Sequence, residues 1–168
     1  MDCEHCEVQI RRARVSDAKS IKKLVDRFVE QGELLPRPLQ EVYSRIREFW
    51  VADDSTAGVI GCVALQVVWE DLAEVRTLAV NPDFHSGGIG RKLVEVTLGE
   101  ARRLELQKVF ALTNVPFFFK KLGFVEVPMD SLPQKVYFDC IHCPKVDHCD
   151  EVAVVYDCRR MPAGAPPA

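Results

Sequence analysis

Two hydrophobic periods organise this chain, and the switches between them mark its elements. Val8 to Arg14 predicts a first strand. Ile21, Leu24, Val25, Phe28 and Val29 then recur at helical spacing, with Ser16 or Asp17 placed to cap the helix and Gly32 to end it. Leu34 to Pro38 is a proline-stiffened linker, and Val42, Ile46 and Phe49 mark the inward face of a second helix from Gln40 to Glu48. Phe49–Ala52 and Gly58–Trp69 predict a hairpin across Asp53–Ala57. Glu74–Val80 predicts a strand, Ile89–Leu106 a long helix, Lys108–Thr113 a strand, and Pro116–Lys121 a short helix opened by proline. Phe124–Val127 and Val152–Tyr156 are late strands, separated by an irregular cysteine-rich insertion at about 128–151. The Pro/Ala/Gly tail at 159–168 is expected to be disordered. This order predicts an α+β fold, a three-layer α/β arrangement with a mixed central sheet and helices on both faces, in a single domain over 1–158.

Bulk properties narrow the function classes. The chain has 168 residues, enough for one domain with a proper core. Its net charge of −3 supplies no global field for nucleic acid or an anionic membrane. No apolar run approaches the ~20 residues of a membrane span. The first residues, Met1 to Cys6, are acidic and polar, unlike a secretory signal, so a cytoplasmic location is expected.

The most informative run is Val80-Asn81-Pro82-Asp83-Phe84-His85-Ser86-Gly87-Gly88-Ile89-Gly90-Arg91. A strand ends, a glycine-rich turn follows, and a helix begins. The first N–H groups of a helix lack intrahelical partners and carry partial positive charge, and glycines let backbone approach an anion closely. There is no Gly-Lys-Ser/Thr ending, which argues against an ATP-binding P-loop. The glycines also lack the spacing and position of a dinucleotide-binding turn. A tight strand-to-helix turn without a ligand remains the alternative.

The same run resembles the pyrophosphate loop of the GNAT acetyltransferases, Gln/Arg-x-x-Gly-x-Gly/Ala: Gly88 and Gly90 match, and His85 stands where that family prefers Gln or Arg. A second stretch, Asn114-Val115-Pro116-Phe117-Phe118-Phe119-Lys120-Lys121-Leu122-Gly123-Phe124, resembles the family's Asn…Phe-Tyr-x-Lys-x-Gly-Phe signature in the expected order. The resemblance implies the GNAT acyl-CoA N-acyltransferase fold and acetyl-CoA as cosubstrate. It assigns the pyrophosphate to His85, Ser86, Gly87, Gly88, Ile89, Gly90 and Arg91. It assigns the pantetheine arm to the backbone of Leu78, Ala79 and Val80, and a second cofactor wall to Asn114, Phe118 and Lys121. Glu74, on Ala73-Glu74-Val75-Arg76-Thr77-Leu78-Ala79-Val80, falls where the histone-acetyltransferase branch carries its general base. A base is needed because an ammonium has no lone pair to attack a thioester. Phe119 replaces the Tyr that often protonates the departing thiolate, and Phe has no proton to give.

Three further stretches are similar to the short, single-domain N-acetylglutamate synthases of bacterial arginine biosynthesis: Leu34 to Phe49, Val68 to Arg76, and Leu132 to Lys145. The resemblance spans about residues 8 to 157. It implies an amino-acid acceptor, L-glutamate, whose two carboxylates call for converging cations. Arginine suits best because its fork meets a carboxylate in two bonds. Arg37, Arg76 and Lys135 are the candidates, whereas Arg45 and Arg47 read as exposed helix charges. L-glutamine, another amine or a protein N-terminus stays open as acceptor. A non-catalytic acyl-CoA-binding regulator and a zinc-stapled interaction module stay open as functions. The longer synthases carry an amino-acid-kinase domain that hosts arginine feedback. This chain has no room for one, so weak or differently built arginine inhibition is expected. GNAT proteins often dimerise, so a homodimer is allowed, although no interface signature stands in the chain.

The cysteines form a separate question. Cys3-x-x-Cys6 and Cys140-x-x-Cys143 together supply four thiolates, the donor set of a structural zinc site. Free thiols and a redox or disulfide role are the alternatives. A catalytic metal is not expected, because acetyl transfer from CoA needs none. Cys62 lies in a strand-like context and reads as a plain buried hydrophobe.

Overall fold

The computed structural model describes residues 7–133 and 149–160, apart from the side chain of Ser86. In chain order the elements are β1 (Val8–Arg12), α1 (Ala18–Glu30), α2 (Leu39–Ser44), β2 (Phe49–Asp54), β3 (Gly58–Trp69), β4 (Leu72–Val80), α3 (Ile89–Arg103), β5 (Lys108–Thr113), α4 (Pro116–Lys121), β6 (Val125–Val127) and β7 (Val152–Asp157). The strands join in the order β1-β2-β3-β4-β5-β7-β6. Parallel pairing of β4 with β5, among antiparallel neighbours, makes the sheet mixed. The chain divides into two compact units. One runs to Leu65 and adds Val75–Thr97; the other holds Gln66–Glu74 and everything described from Leu98 onward. Strands β3 and β4 and helix α3 therefore run through both.

In the first unit, the apolar stripe of α1 (Ile21, Leu24, Val25, Phe28) and Val42 of α2 pack with Phe49, Val51, Cys62, Ala64 and Ala79 of the strands. Successive strand side chains point to opposite faces. Cys62 facing α1 therefore turns Gly61 to the other face, where α3 begins. A Cβ at Gly61 would lie 3.1 Å from Leu93 Cδ1 and 3.3 Å from both Ile89 Cγ2 and Ala52 Cβ. Helices thus cover both faces of this unit, as the element order predicts.

A charged cluster closes the same unit at β1. The Arg11 guanidinium donates to both oxygens of Asp17, at 2.7 and 3.0 Å, and to Asp53 Oδ2 at 2.9 and 3.1 Å. Asp17 also accepts the Arg14 N–H at 2.7 Å, so its side chain serves the turn before α1 and gives α1 itself no side-chain cap. The hydrogen bonds from Arg11 hold the Asp17 carboxyl below its ordinary pKa, against the opposing effect of burial.

The second unit is built on β5, which pairs in parallel with the start of β4 and antiparallel with β7, while β6 borders β7. Leu72, Phe110, Leu132 and Ala153 form its core. Phe119, Phe124 and Tyr156 form a chain of ring contacts, the first edge-on and the second tilted, with centroids 5.2 and 5.4 Å apart.

Two helix ends differ from the sequence reading. The second helix stops at Ser44, because Arg45 leaves helical geometry, and a 3-10 turn covers Ile46–Glu48. Helix α3 ends at Arg103 instead of Leu106. Glu105 adopts φ 59°, and the Leu106 N–H reaches back to the Ala101 carbonyl at 3.0 Å, a Schellman-type end made without glycine. Among the described residues no helix is long and apolar enough to cross a membrane.

Asp17→Asn leaves the Arg11 fork without its main counter-charge in a largely buried setting, and should cost about 2 kcal/mol in urea unfolding. A lowered carboxyl pKa stabilises fully above the unfolded value of 3.8 and is lost as pH falls through the folded value. The gap between wild type and the variant should therefore close in unfolding curves measured below pH 3.8.

Candidate active site

The cofactor candidates of the first unit, with Arg76, sit along β4, the turn that follows it and the start of α3. Arg76 and Leu78 are half-buried, and Ala79 and Val80 are buried. Between them Thr77 takes φ 54°, a left-handed value uncommon for a residue with a side chain. The Cys62 thiol donates to the Thr77 carbonyl at 3.6 Å. Burial pushes the Cys62 pKa up to about 12, against the pull of a bond with the Ala79 backbone. A thiol so placed is a structural group and no nucleophile at neutral pH.

The turn is tied down at several points. The Asn81 N–H donates to the Ile60 carbonyl at 2.7 Å, and the Asn81 side chain accepts the Asp83 N–H at 3.1 Å, capping the 3-10 turn Pro82–Gly87. His85 Nε2 lies 2.9 Å from the Val80 carbonyl. A carbonyl can only accept, so this nitrogen carries the hydrogen, and the ring is committed to the strand end. Gly88 takes φ 64°, which a side chain tolerates poorly, and its carbonyl accepts the first α3 bond from Lys92 N–H at 3.0 Å. The N–H groups of Ile89, Gly90 and Arg91 thus open a fifteen-residue helix without intrahelical partners. With the helix dipole behind them, they form a cradle for an anion. The Arg91 side chain is exposed and pairs with Glu95 at 2.8 Å. Gly87 is exposed and Gly90 half-buried.

The acceptor candidates lie in the same unit. Arg37 Nη1 donates to Glu41 Oε1 at 3.0 Å. Arg45 Nε lies 4.0 Å from the same oxygen, and Arg45 Nη1 donates to Glu48 Oε2 at 3.5 Å. Burial pushes the Glu48 carboxyl above its ordinary pKa, while the charges of Arg45 and Arg76 pull it down. Arg37, Glu41, Arg45 and Glu48 therefore alternate in sign within reach of one another, and the Arg76 charge bears on Glu48. Arg45, expected to be a solvated helix charge, is half-buried and links the two carboxylates. Only Arg47 matches that expectation of exposure. Sequence reasoning passed over Glu41 and Glu48 and read Arg45 as exposed, although the i, i+4 spacing from Arg37 to Glu41 to Arg45 brings their side chains together.

In the second unit, Glu74 is half-buried and pairs in register with Phe110. Asn114 and Lys121 are exposed, Phe118 is half-buried, and Phe119 is buried in the aromatic chain, 5.1 Å from Phe118. Phe117 is 78% exposed, so the aromatic motif divides into core and surface. Lys135, the zinc candidates Cys3, Cys6, Cys140 and Cys143, and the side chain of Ser86 lie outside the described residues. Among the described residues no cluster of three or more His, Cys, Asp or Glu could hold a metal, and Cys62, Cys149 and Cys158 are free thiols.

The N–H groups at the start of α3 thus give the first unit a candidate site for an anionic group. Residues 45–126 match the acetyltransferase (GNAT) domain model. The chain is 42% identical to the amino-acid acetyltransferase of Mycobacterium tuberculosis over 79% of its own length and 76% of that protein. A crystal structure from M. tuberculosis in complex with CoA and NLQ matches with a TM-score of 0.78 and 35% identity, covering 89% of this chain and 98% of the other. The N-acetylglutamate synthase of Neisseria gonorrhoeae, complexed with coenzyme A and N-acetyl-glutamate, matches with a TM-score of 0.82 and 28% identity. It covers 94% of this chain, and this chain covers 36% of that longer protein. The chain belongs to the GNAT N-acetyltransferases.

Gly61→Val would force Ile89 and Leu93 away from β3 and should cost about 2–3 kcal/mol in denaturant unfolding, with Gly61→Ala costing less. The amide resonances of residues 88–92 should shift in both variants, more strongly in the valine one.

Proposed function

We propose that this enzyme acetylates the α-amino group of L-glutamate with acetyl-CoA, forming N-acetylglutamate for arginine biosynthesis. The observation that carries this reading is the likeness, across 94% of the chain, to a synthase complexed with coenzyme A and N-acetyl-glutamate. The arginine-bearing array of the first unit supports it, since a dicarboxylate needs such cations.

Acetyl-CoA brings an acetyl group already activated as a thioester. The N–H groups at the start of α3 hold its pyrophosphate, with Ser86, Gly87 and Gly88 approaching as backbone. The backbone of Leu78, Ala79 and Val80 meets the pantetheine arm, and a β4 N–H polarises the thioester carbonyl. Asn114, Phe118 and Lys121 contribute the remaining cofactor contacts. Arg37, Arg76 and Lys135 fix the acceptor carboxylates. Glu74 takes one proton from the acceptor ammonium, directly or through one water, which frees the lone pair that forms the new C–N bond as the C–S bond breaks, and the nitrogen's second proton passes to solvent as the amide forms. Phe119 is buried and has no proton for the departing sulfur. A thiol pKa of ~8.5 makes the bare thiolate a fair leaving group.

A thiol-release assay with L-glutamate and L-glutamine, paired with acetyl-CoA calorimetry, tests this. Glu74→Gln should lower kcat by roughly 10²-fold or more while leaving acetyl-CoA affinity unchanged. Arg37→Ala should raise the KM for glutamate by about tenfold, with the KM for acetyl-CoA unmoved. Tight acetyl-CoA binding with no acetylation of any amino acid would sink the reading in favour of an acyl-CoA-binding regulator.

A further inference from the structure

The turn that leads into α3 is kinked. Pro82–Gly87 is helical on either side of Phe84, whose φ −120° and ψ 16° break the run. Its first half is tied through Asn81. The Phe84 N–H donates to the Asn81 carbonyl at 2.9 Å, and the Asp83 N–H to the Asn81 side chain at 3.1 Å. His85 is the first residue beyond the kink. Its ring reaches back across five residues, and Nε2 donates to the Val80 carbonyl at 2.9 Å. Val80 ends β4, and the left-handed Gly88 follows His85 within the next turn and opens α3. A side-chain bond thus ties the approach to the cradle to the end of the strand, past the point where helical backbone geometry is interrupted.

We propose that His85 is a positioning residue for acetyl-CoA, which holds the cradle in its binding geometry through Val80 and does not itself bond the phosphates. This rests on the pyrophosphate reading of the α3 start and names what sets its geometry. The Nε2 hydrogen is taken by Val80. On the neutral ring the other nitrogen, Nδ1, carries only a lone pair and has nothing to donate to an anion. An arginine or glutamine here could turn a donor toward phosphate; His85 turns its donor toward the protein. A cradle that is already ordered loses less conformational freedom when the anion arrives, so the bond raises affinity without entering the complex. It acts on how often the site is competent to bind, and not on the transfer step that follows.

The test combines CoA calorimetry with acetyl-transfer kinetics, using L-glutamate and L-glutamine as acceptors, on His85→Leu and His85→Gln. Leucine removes the donor. Glutamine keeps an N–H at nearly the reach of Nε2 and never carries the imidazole's charge. His85→Leu should raise the Kd for CoA about three- to tenfold, with kcat at saturating acetyl-CoA within about twofold of wild type. His85→Gln should bring the Kd back to within about twofold. Misfolded protein lowers the binding stoichiometry and leaves the Kd of the remainder unmoved, so a merely structural role does not mimic this pattern. Dephospho-CoA, which keeps the pyrophosphate and lacks the 3′-phosphate, should lose affinity for His85→Leu by the same factor. An unmoved Kd in His85→Leu overturns the inference. So does a Kd for His85→Gln as weak as that for His85→Leu, which puts the imidazole itself on the ligand. A loss that vanishes with dephospho-CoA overturns it too, by placing His85 at the 3′-phosphate. Failure of wild type to bind CoA overturns the cofactor reading and takes the inference with it.

Discussion

The missing side chain at Gly61 is the constraint on which the anion cradle depends. Only a bare backbone there lets Ile89 and Leu93 lie against β3, with 3.1–3.3 Å between their atoms and the place a Cβ would take. That contact fixes where α3 begins. One residue earlier on the same strand, the Ile60 carbonyl accepts the Asn81 N–H and fixes where the preceding turn begins. The turn has both ends anchored to a single strand, and Gly88 supplies the left-handed step that joins them. Helix N-termini attract anions wherever they occur; what makes this one usable is that its position is imposed by packing.

The opposite face of the same strand does a related job for β4. Cys62 is buried among α1 side chains, yet its thiol reaches the carbonyl of Thr77, the residue of β4 that takes a left-handed φ. A left-handed non-glycine residue costs of order 1–3 kcal/mol and persists only where neighbours over-determine it. Adjacent residues of β3 thus steady the two parts of the first unit that the proposed chemistry uses, one by having no side chain and the other by having a weak hydrogen-bond donor.

Two arginine-centred networks show how similar groups can serve different ends. Arg11 grips Asp17 and Asp53 in geometry that leaves little for a ligand, and it joins β1, β2 and the approach to α1. Arg37 and Arg45 are also paired, but along a run that alternates in sign, where the Arg76 charge bears on Glu48. In sequence both are basic residues near acidic ones. Pairing geometry separates the two networks, and pairing geometry is a property of the fold.

Read alone, the chain's periodicity places nearly every strand and helix, because apolar spacing and the prolines and glycines at 32, 36, 38, 82, 88 and 116 act locally. It misses the end of α3, where Glu105 does without the glycine that usually announces a left-handed cap. The candidate anion-binding turn is legible for the same local reason: strand, glycine and helix start are neighbours in the chain. The rest was decided by residues far apart in sequence. Gly61 is an unremarked glycine until α3 lands on it. Cys62 is a plain hydrophobe until Thr77 turns its carbonyl toward it. His85 is off-pattern in sequence, and only the folded turn aims its ring at Val80. Arg45 reads as a solvated helix charge until Glu41 and Glu48 are found beside it. Local geometry follows from the order of residue types along a few turns of chain, whereas charge balance and close approach depend on which distant residues the fold brings within a few ångströms.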